Sequence, residues 1–333
     1  MNKVGICLTF SIILLLYGCQ YSTEGLAEDK NYILAHNQPE DHPIHLSLER
    51  FTELVEEKSN GEITFELYAS GQLGDEREVI ELTQQGVVDF TKASASALES
   101  FDPVYSIFSL PYLFKDEEEY REVMNDPNIM DDIYATTEDI NLTGLTYYDA
   151  GIRNVYTTDQ DQVVETNEDI HNLRIRVQPS HTNIQMIEAL GGTATPLGYG
   201  EVYTALQSGM IEGAENNVNA LVDDNHGEVA KNYYYTEHAI VPDILLVNSD
   251  RFNELSEEEQ AIIEEAGLES TRYHEEIWEE QMESATEIAK EEMNVEFHEV
   301  NKDSFIEAVQ PLHEEFAQDE DTGEIYRMIR GEG

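Results

Sequence analysis

Apolar residues in the first part of the chain recur with two different periods. In HPIHLSLERFTELVEEKSNG (42–61) the residues Leu46, Leu48, Phe51, Leu54 and Val55 share one helical face, and Gly61 is placed to end the helix. NYILAH (31–36) before it reads as a strand, and EITFELYA (62–69) after it alternates Ile63, Phe65 and Leu67 as a strand does. DEREVIELTQQG (75–86) predicts a helix ending at Gly86, and VVDF (87–90) a further short strand. Strands that alternate with helices predict a parallel α/β sheet.

The closing part of this unit recurs. LTQQGVVD (82–89) is echoed by LQSGMIEG (206–213), each a helix end, a terminating glycine, two apolar residues and an acid. The spacing predicts that the apolar pair begins a buried strand in each case. Either two similar α/β domains are present or a common helix–glycine–strand junction occurs twice by chance. From Ser256 the pattern lengthens: Ser256 and Glu259 stand in capping-box spacing, and Ile262, Ile263, Ala266, Tyr273, Ile277, Ala285, Ile288 and Ala289 form a helical stripe. This predicts one long helix or two joined near Gly267, with the single tryptophan, Trp278, as core packing rather than a ligand platform.

Length and charge narrow the picture. A chain of 333 residues with 40% hydrophobic content can build two ordinary cores. With 70 acidic and 18 basic residues its net charge is −52, which argues against attraction to nucleic acid or anionic lipid. The first residues, MNKVGICLTFSIILLLYGC, combine Lys3, an apolar run from Val4 to Leu16, and Gly18-Cys19. They read as a lipoprotein export signal over 1–18, with Cys19 acylated and residues 19–30 a polar tether. The expected location is extracytoplasmic, anchored to the cell membrane through lipid. Cys7 would leave with the signal, so the mature chain could form no internal disulfide.

Glycine-rich phosphate loops, G-x-S-x-G elbows, H-E-x-x-H and paired C-x-x-C motifs are absent, so neither an enzyme nor a cofactor site is expected. The candidate metal cluster is HNQPEDHPIH, with His36, His42, His45 and Asp41. Pro39 and Pro43 favour the plainer reading of a turn into a helix, and no metal is assigned. DEDTGE (319–324) has the composition of a calcium loop without its spacing.

Between Glu122 and Ala230 the only Lys or Arg residues are Arg153, Arg174 and Arg176. LRIRV predicts a strand with Leu173, Ile175 and Val177 on one face and the two arginines on the other. Arg176 lies nearer its carboxyl end, where open α/β sheets place their ligand crevice. A guanidinium grips a carboxylate through two parallel hydrogen bonds, so these residues point to a small organic acid. Arg174 reads as an ordinary surface charge.

The segments GQLGDEREVIEL, FSLPYLF, YYDAGIRNVYT, LRIRVQPS, TPLGYGEVYTALQSGMIEGAENN and LSEEEQAIIEEA, in this order, resemble the DctP family. These are the solute-binding proteins of tripartite ATP-independent periplasmic (TRAP) transporters. The resemblance implies an α/β, two-domain periplasmic-binding-protein-like fold with crossing strands and a long hinge-spanning helix. Domain I would comprise 31–150 plus about 239–275, and domain II 151–238 plus about 276–333. It implies that Arg176 grips the ligand carboxylate, Arg153 is a second arginine in the cleft, Asn216 hydrogen-bonds the ligand, and Tyr199 packs over it. Gln72, Glu76 and Lys92 would face the cleft from the other domain. Asn217 and Gln178 would read hydroxyls, and His36 completes the set. GAENN, YYDAGIRN and RVQPS are most similar to members that bind hexuronates, with a membrane permease as partner. A dicarboxylate ligand is the alternative, and it would use Lys92 as its second anchor. An extracellular carbohydrate-active enzyme and a metal-capture lipoprotein remain as rival classes.

Overall fold

The computed structural model describes residues 30–158 and 163–331. The export signal, Cys19 and nearly all of the tether lie outside the described residues, as does the middle of the 157–169 loop.

The predicted period-two segments form β1 (Lys30–Ala35) and β2 (Ile63–Tyr68), with α1 (Pro43–Lys58) between them. Next come α2 (Glu76–Gln84), opened by a capping box from Asp75 and Glu78, and β3 (Phe90–Ser94). The remaining strands are β4 (Leu142–Tyr148), β5 (Ile152–Thr157), β6 (Arg174–Val177), β7 (Thr193–Pro196), β8 (Gly213–Asn216), β9 (Asn232–Ile240), β10 (Asp243–Asn248) and β11 (Glu296–His298). They make two sheets, ordered β2-β1-β3-β10-β4 and β11-β9-β5-β8-β6-β7. The chain passes from the first sheet to the second at residues 149–151 and back at 241–242.

The parallel sheet expected of the first segments is present, and the rest of the two sheets is mixed. β1 pairs parallel with β2 and β3, but β10 runs antiparallel to both β3 and β4, and β5 antiparallel to β8 and β9. The cause is the double crossing, which brings each entering strand into its new sheet against its neighbours' direction.

The repeated junction has the same geometry twice, and it differs from the expected one. Gly86 and Gly209 both take left-handed φ, +69° and +70°. Val87 and Met210, the first of each apolar pair, are exposed, whereas Val88 and Ile211 are buried. The strands start later, at Phe90 and Gly213. The acid then clasps the neighbouring strand: Asp89 exchanges hydrogen bonds with the backbone of Ile33, and Glu212 with that of Arg174. A carboxylate here satisfies a strand-edge N–H that would otherwise lack a partner, so the echo is a shared structural device.

Glu257–Glu291 is one continuous 35-residue helix. The cost of Gly267 in a helix interior, about 1 kcal/mol, is overridden by packing on β4. There Thr271 bonds to Thr146 at 2.7 Å and Ser270 to Tyr148 at 2.8 Å. Ile263 and Ala266 enter the core of Leu34, Phe51, Phe90 and Leu245 under the first sheet. Ala285 and Ala289 enter that of Tyr156, Leu206 and Tyr233 under the second. Trp278, midway, is buried against His274 and packs where the chain crosses, so it is core as expected. Gly151 at that crossing has φ +70°, and a Cβ there would stand 2.9 Å from the tryptophan ring. Among the described residues no helix is long and apolar enough to cross a membrane.

Candidate functional site

The carboxyl ends of β1, β3, β6 and β8 and the crossing segments converge on a cleft of about 560 Å³ between the sheets. Arg176 lies in its wall with 2% of its surface exposed. Nε and Nη2 donate to the carbonyl of Leu197, at 3.0 and 2.8 Å, and the Tyr199 ring lies 5.8 Å from Cζ. A guanidinium has five N–H groups in a planar fork, so the Nη1–Nη2 edge is left over. Burial, with Arg153 nearby, pulls its pKa below the ordinary arginine value. Of the described cations lining the cleft it is the one with no carboxylate in ion-pair contact.

The others are paired. Arg153 donates from Nε and Nη2 to the two carboxylate oxygens of Glu215, at 2.5 and 2.9 Å, and from Nη1 to Asn216 Oδ1 at 2.9 Å. Burial alone would raise the Glu215 carboxyl, but Arg153 and His238, 3.4 Å away, outweigh it and hold it at about 2. Arg77, at the rim, pairs with Glu81.

Lys92 stands on the first-sheet wall. Its ammonium donates to Asn37 Oδ1 at 2.9 Å and Glu76 Oε1 at 3.3 Å, and lies 3.1 Å from Asp243 Oδ2. Burial would lower its pKa, and the carboxylates of Asp243 and Glu76 reverse this and hold it above the ordinary value. Burial raises the Asp243 carboxyl against the pull of Lys92, and Glu76 adds to the rise. Beside Arg176, Tyr199 donates its hydroxyl to Asp224, whose carboxyl burial lifts to about 6.

Eight of the ten expected ligand-contacting residues line this cleft: Glu76, Lys92, Arg153, Arg176, Gln178, Tyr199, Asn216 and Asn217. Their states differ. Asn217 uses its amide to tie Ala150 O at 2.7 Å and Asn219 N at 2.9 Å, fastening the crossing. Gln178 Oε1 is buried with no partner. Gln72 and His36 are not among the lining residues. Gln72 sits exposed in the tight turn made by Gly71 and Gly74. His36 lies behind the wall, 3.0 Å from His45, and accepts from the Gln38 backbone. Burial, then Lys92 and His45, press its pKa down to about 3.

The histidine cluster is therefore occupied by structural work, with His42 capping α1 through Ile44 N–H. Among the described residues no group of three or more His, Cys, Asp or Glu side chains is disposed to hold a metal ion. Arg174 pairs with Glu212 on the surface, the role expected of it.

Gln38 and Asp243 line the cleft without having been singled out from sequence. Gln38 follows β1 at its carboxyl end, a signal that was available, and its Oε1 is buried without a partner. Asp243 opens a strand that enters the sheet antiparallel, so its start lies at the cleft, which chain order alone does not reveal. A second depression, of about 710 Å³, lies outside, between Pro127–Thr136 and the long helix. Its one base, Arg272, sits among Asp126, Asp131, Glu264 and Glu275, so it offers an anion no comparable anchor.

The chain matches the family described as bacterial extracellular solute-binding protein, family 7 (DctP), over residues 34–319. It is 42% identical over 272 residues to the uncharacterized protein YiiZ of Salmonella typhimurium, spanning 82% of this chain and 83% of that one. Its fold is similar to that of a TRAP periplasmic solute-binding protein from Anaerococcus prevotii solved with bound D-glucuronate. That match has a TM-score of 0.87 and 40% identity, and covers 91% of this chain and 97% of the other. A corresponding protein from Xanthobacter autotrophicus, solved with β-D-galacturonate, has a TM-score of 0.86 at 33% identity, covering 90% and 99%.

Proposed function

The chain belongs to the DctP family of bacterial extracellular solute-binding proteins, and from that premise we propose that it captures a hexuronate and delivers it to a TRAP permease. The observation that carries the reading is Arg176, a nearly fully buried cation in the cleft with an unspent fork edge and no carboxylate partner. A ligand carboxylate completes it through two parallel charge-assisted hydrogen bonds. The hydroxyls of the sugar then meet the unpartnered amide oxygens of Gln178 on the Arg176 wall and Gln38 on the opposite one. Because these contacts come from both walls, they favour the shut form over the open one, which is what ligand-driven closure requires.

The moving bodies in this reading are residues 31–150 with about 239–275, and 151–238 with about 276–333. Its support is the pair of crossings at 149–151 and 241–242. The apolar run from Val4 to Leu16 and the Gly18-Cys19 pair support lipid anchoring outside the cytoplasm. Labelled fatty acid incorporated by the full chain and lost in Cys19→Ala is the expected result, and labelling that survives the substitution would refute it.

The test of the main reading is thermal melting with D-glucuronate and D-galacturonate beside the uncharged parent hexoses. At about a hundred times its dissociation constant a ligand stabilises by about 2.7 kcal/mol. Emission from Trp278, buried at the crossing, reports closure in the same sample. The acids shift both signals and the hexoses do not. Absence of a shift with any hexuronate would sink the proposal.

A further inference from the structure

Arg176 accounts for one carboxylate, and the opposite wall bears on what the far end of the ligand can be. An ammonium has three N–H donors, and those of Lys92 are matched by Asn37, Glu76 and Asp243. One cation against two carboxylates leaves this buried cluster with net negative charge. The second oxygens, Glu76 Oε2 and Asp243 Oδ1, make no hydrogen bond to the described residues. With the unpartnered Oε1 of Gln38, these oxygens give the wall acceptors that lack donors.

Building on the hexuronate reading, we infer that Asp243, acting with Glu76, is a specificity-determining residue that selects a monoanionic, hydroxyl-ended acid and turns away a dicarboxylate. Hydroxyl groups supply the missing O–H donors. A second carboxylate supplies none and brings a like charge into a dry site, where such a juxtaposition costs several kcal/mol. Lys92, which by residue type alone would welcome that charge, is already spent. Asp243 is the decisive partner because it is buried and its carboxylate lies close to the ammonium, whereas Glu76 also accepts from the Ser94 backbone at 3.0 Å.

The experiment is titration calorimetry with D-galacturonate and with galactarate, which keeps the carbon skeleton and ends in a second carboxylate. Wild type, Asp243→Asn and the Glu76→Gln/Asp243→Asn double variant are compared. Wild type prefers the uronate by about a hundredfold or more, a ratio set by a like-charge penalty of a few kcal/mol. The double variant, with Lys92 released, narrows the preference by at least about tenfold, chiefly by binding galactarate more tightly. Melting of the ligand-free variants verifies their folding, and if the double variant does not fold, Asp243→Asn alone is read in the same way, with an unchanged ratio overturning the inference.

Equal wild-type affinities overturn this inference and leave the hexuronate reading standing. A folded double variant with an unchanged ratio overturns it too. Binding of galactarate without binding of any hexuronate overturns both.

Discussion

Arg176 and Lys92 are both cations buried almost completely in one cleft, and the protein treats them in opposite ways. Lys92, on the first-sheet wall, is held by two carboxylates and an amide, and its proton is bound more tightly than usual. Arg176, on the second-sheet wall, has a single backbone carbonyl as its hydrogen-bond partner among the described residues and a depressed pKa. Burying an unpaired charge is expensive, so the cleft carries that cost where a ligand carboxylate can relieve it. The paired lysine sets the polarity of its wall, and in the proposed reading the unpaired arginine is the one that takes the ligand carboxylate.

The comparison can be broken by removing each cation. Arg176→Ala is expected to lower hexuronate affinity by about a thousandfold or more, since a buried charge-assisted pair carries about 4 kcal/mol or more. Calorimetry measures this loss, and the ligand-free protein should melt no lower than wild type. Arg174→Ala, which removes an exposed partner of Glu212, leaves affinity and melting unchanged. Equal effects at the two positions would contradict the assignment of the binding arginine. Lys92→Met does the reverse of Arg176→Ala in the unliganded protein. It strands two carboxylates in the wall and costs about 3–5 kcal/mol of stability, read as a lower urea midpoint.

A smaller effect is expected at the joint between the walls. Asp149 accepts from Gly151 N–H at 2.7 Å, and its other oxygen, buried and without a hydrogen bond, lies 3.9 Å from Arg121 Nη2. Burial, opposed by that N–H and reinforced by Glu117, raises its carboxyl from the ordinary 3.8 to about 6. The folded state therefore binds this proton more tightly than the unfolded chain does. The associated stability is full below about pH 4 and is lost as pH rises through about 6. Asp149→Asn should melt higher than wild type at pH 8, by about 2–3 kcal/mol, and the difference should close at pH 4. A difference that does not vary with pH would remove Asp149 as its source.

Local patterns carried well. The stripe of α1 apart from Leu46, which is only half-buried, the capping box of the long helix and the burial of Trp278 all follow from periodicity and cap chemistry among near neighbours. Arg176 was legible because a strand's carboxyl end and a rare cation in an acidic region coincide. The partner of Arg153 was not, because Glu215 lies on β8, which reaches β5 only in the folded sheet. His36 and Gln72 shared the cleft segments of the chain, but a histidine pair and a glycine turn direct them elsewhere. The apolar pairs after Gly86 and Gly209 deceived in the same way twice, since each strand begins three residues after the first of the pair, at Phe90 and Gly213.

Sequence alone determined the alternation of helix and strand and the capped start of the long helix, and it pointed to Arg176, because each depends on residues close together in the chain. The tertiary structure alone decided which cations remain available. Pairing depends on contacts between residues far apart, Lys92 with Asp243 and Arg153 with Glu215, made when the twice-crossing chain aligns its strands. In a chain with 70 acids, charge composition cannot say which base lacks a partner. Only the packed cleft distinguishes them, because burial makes an unpaired charge costly and its ligand consequently specific.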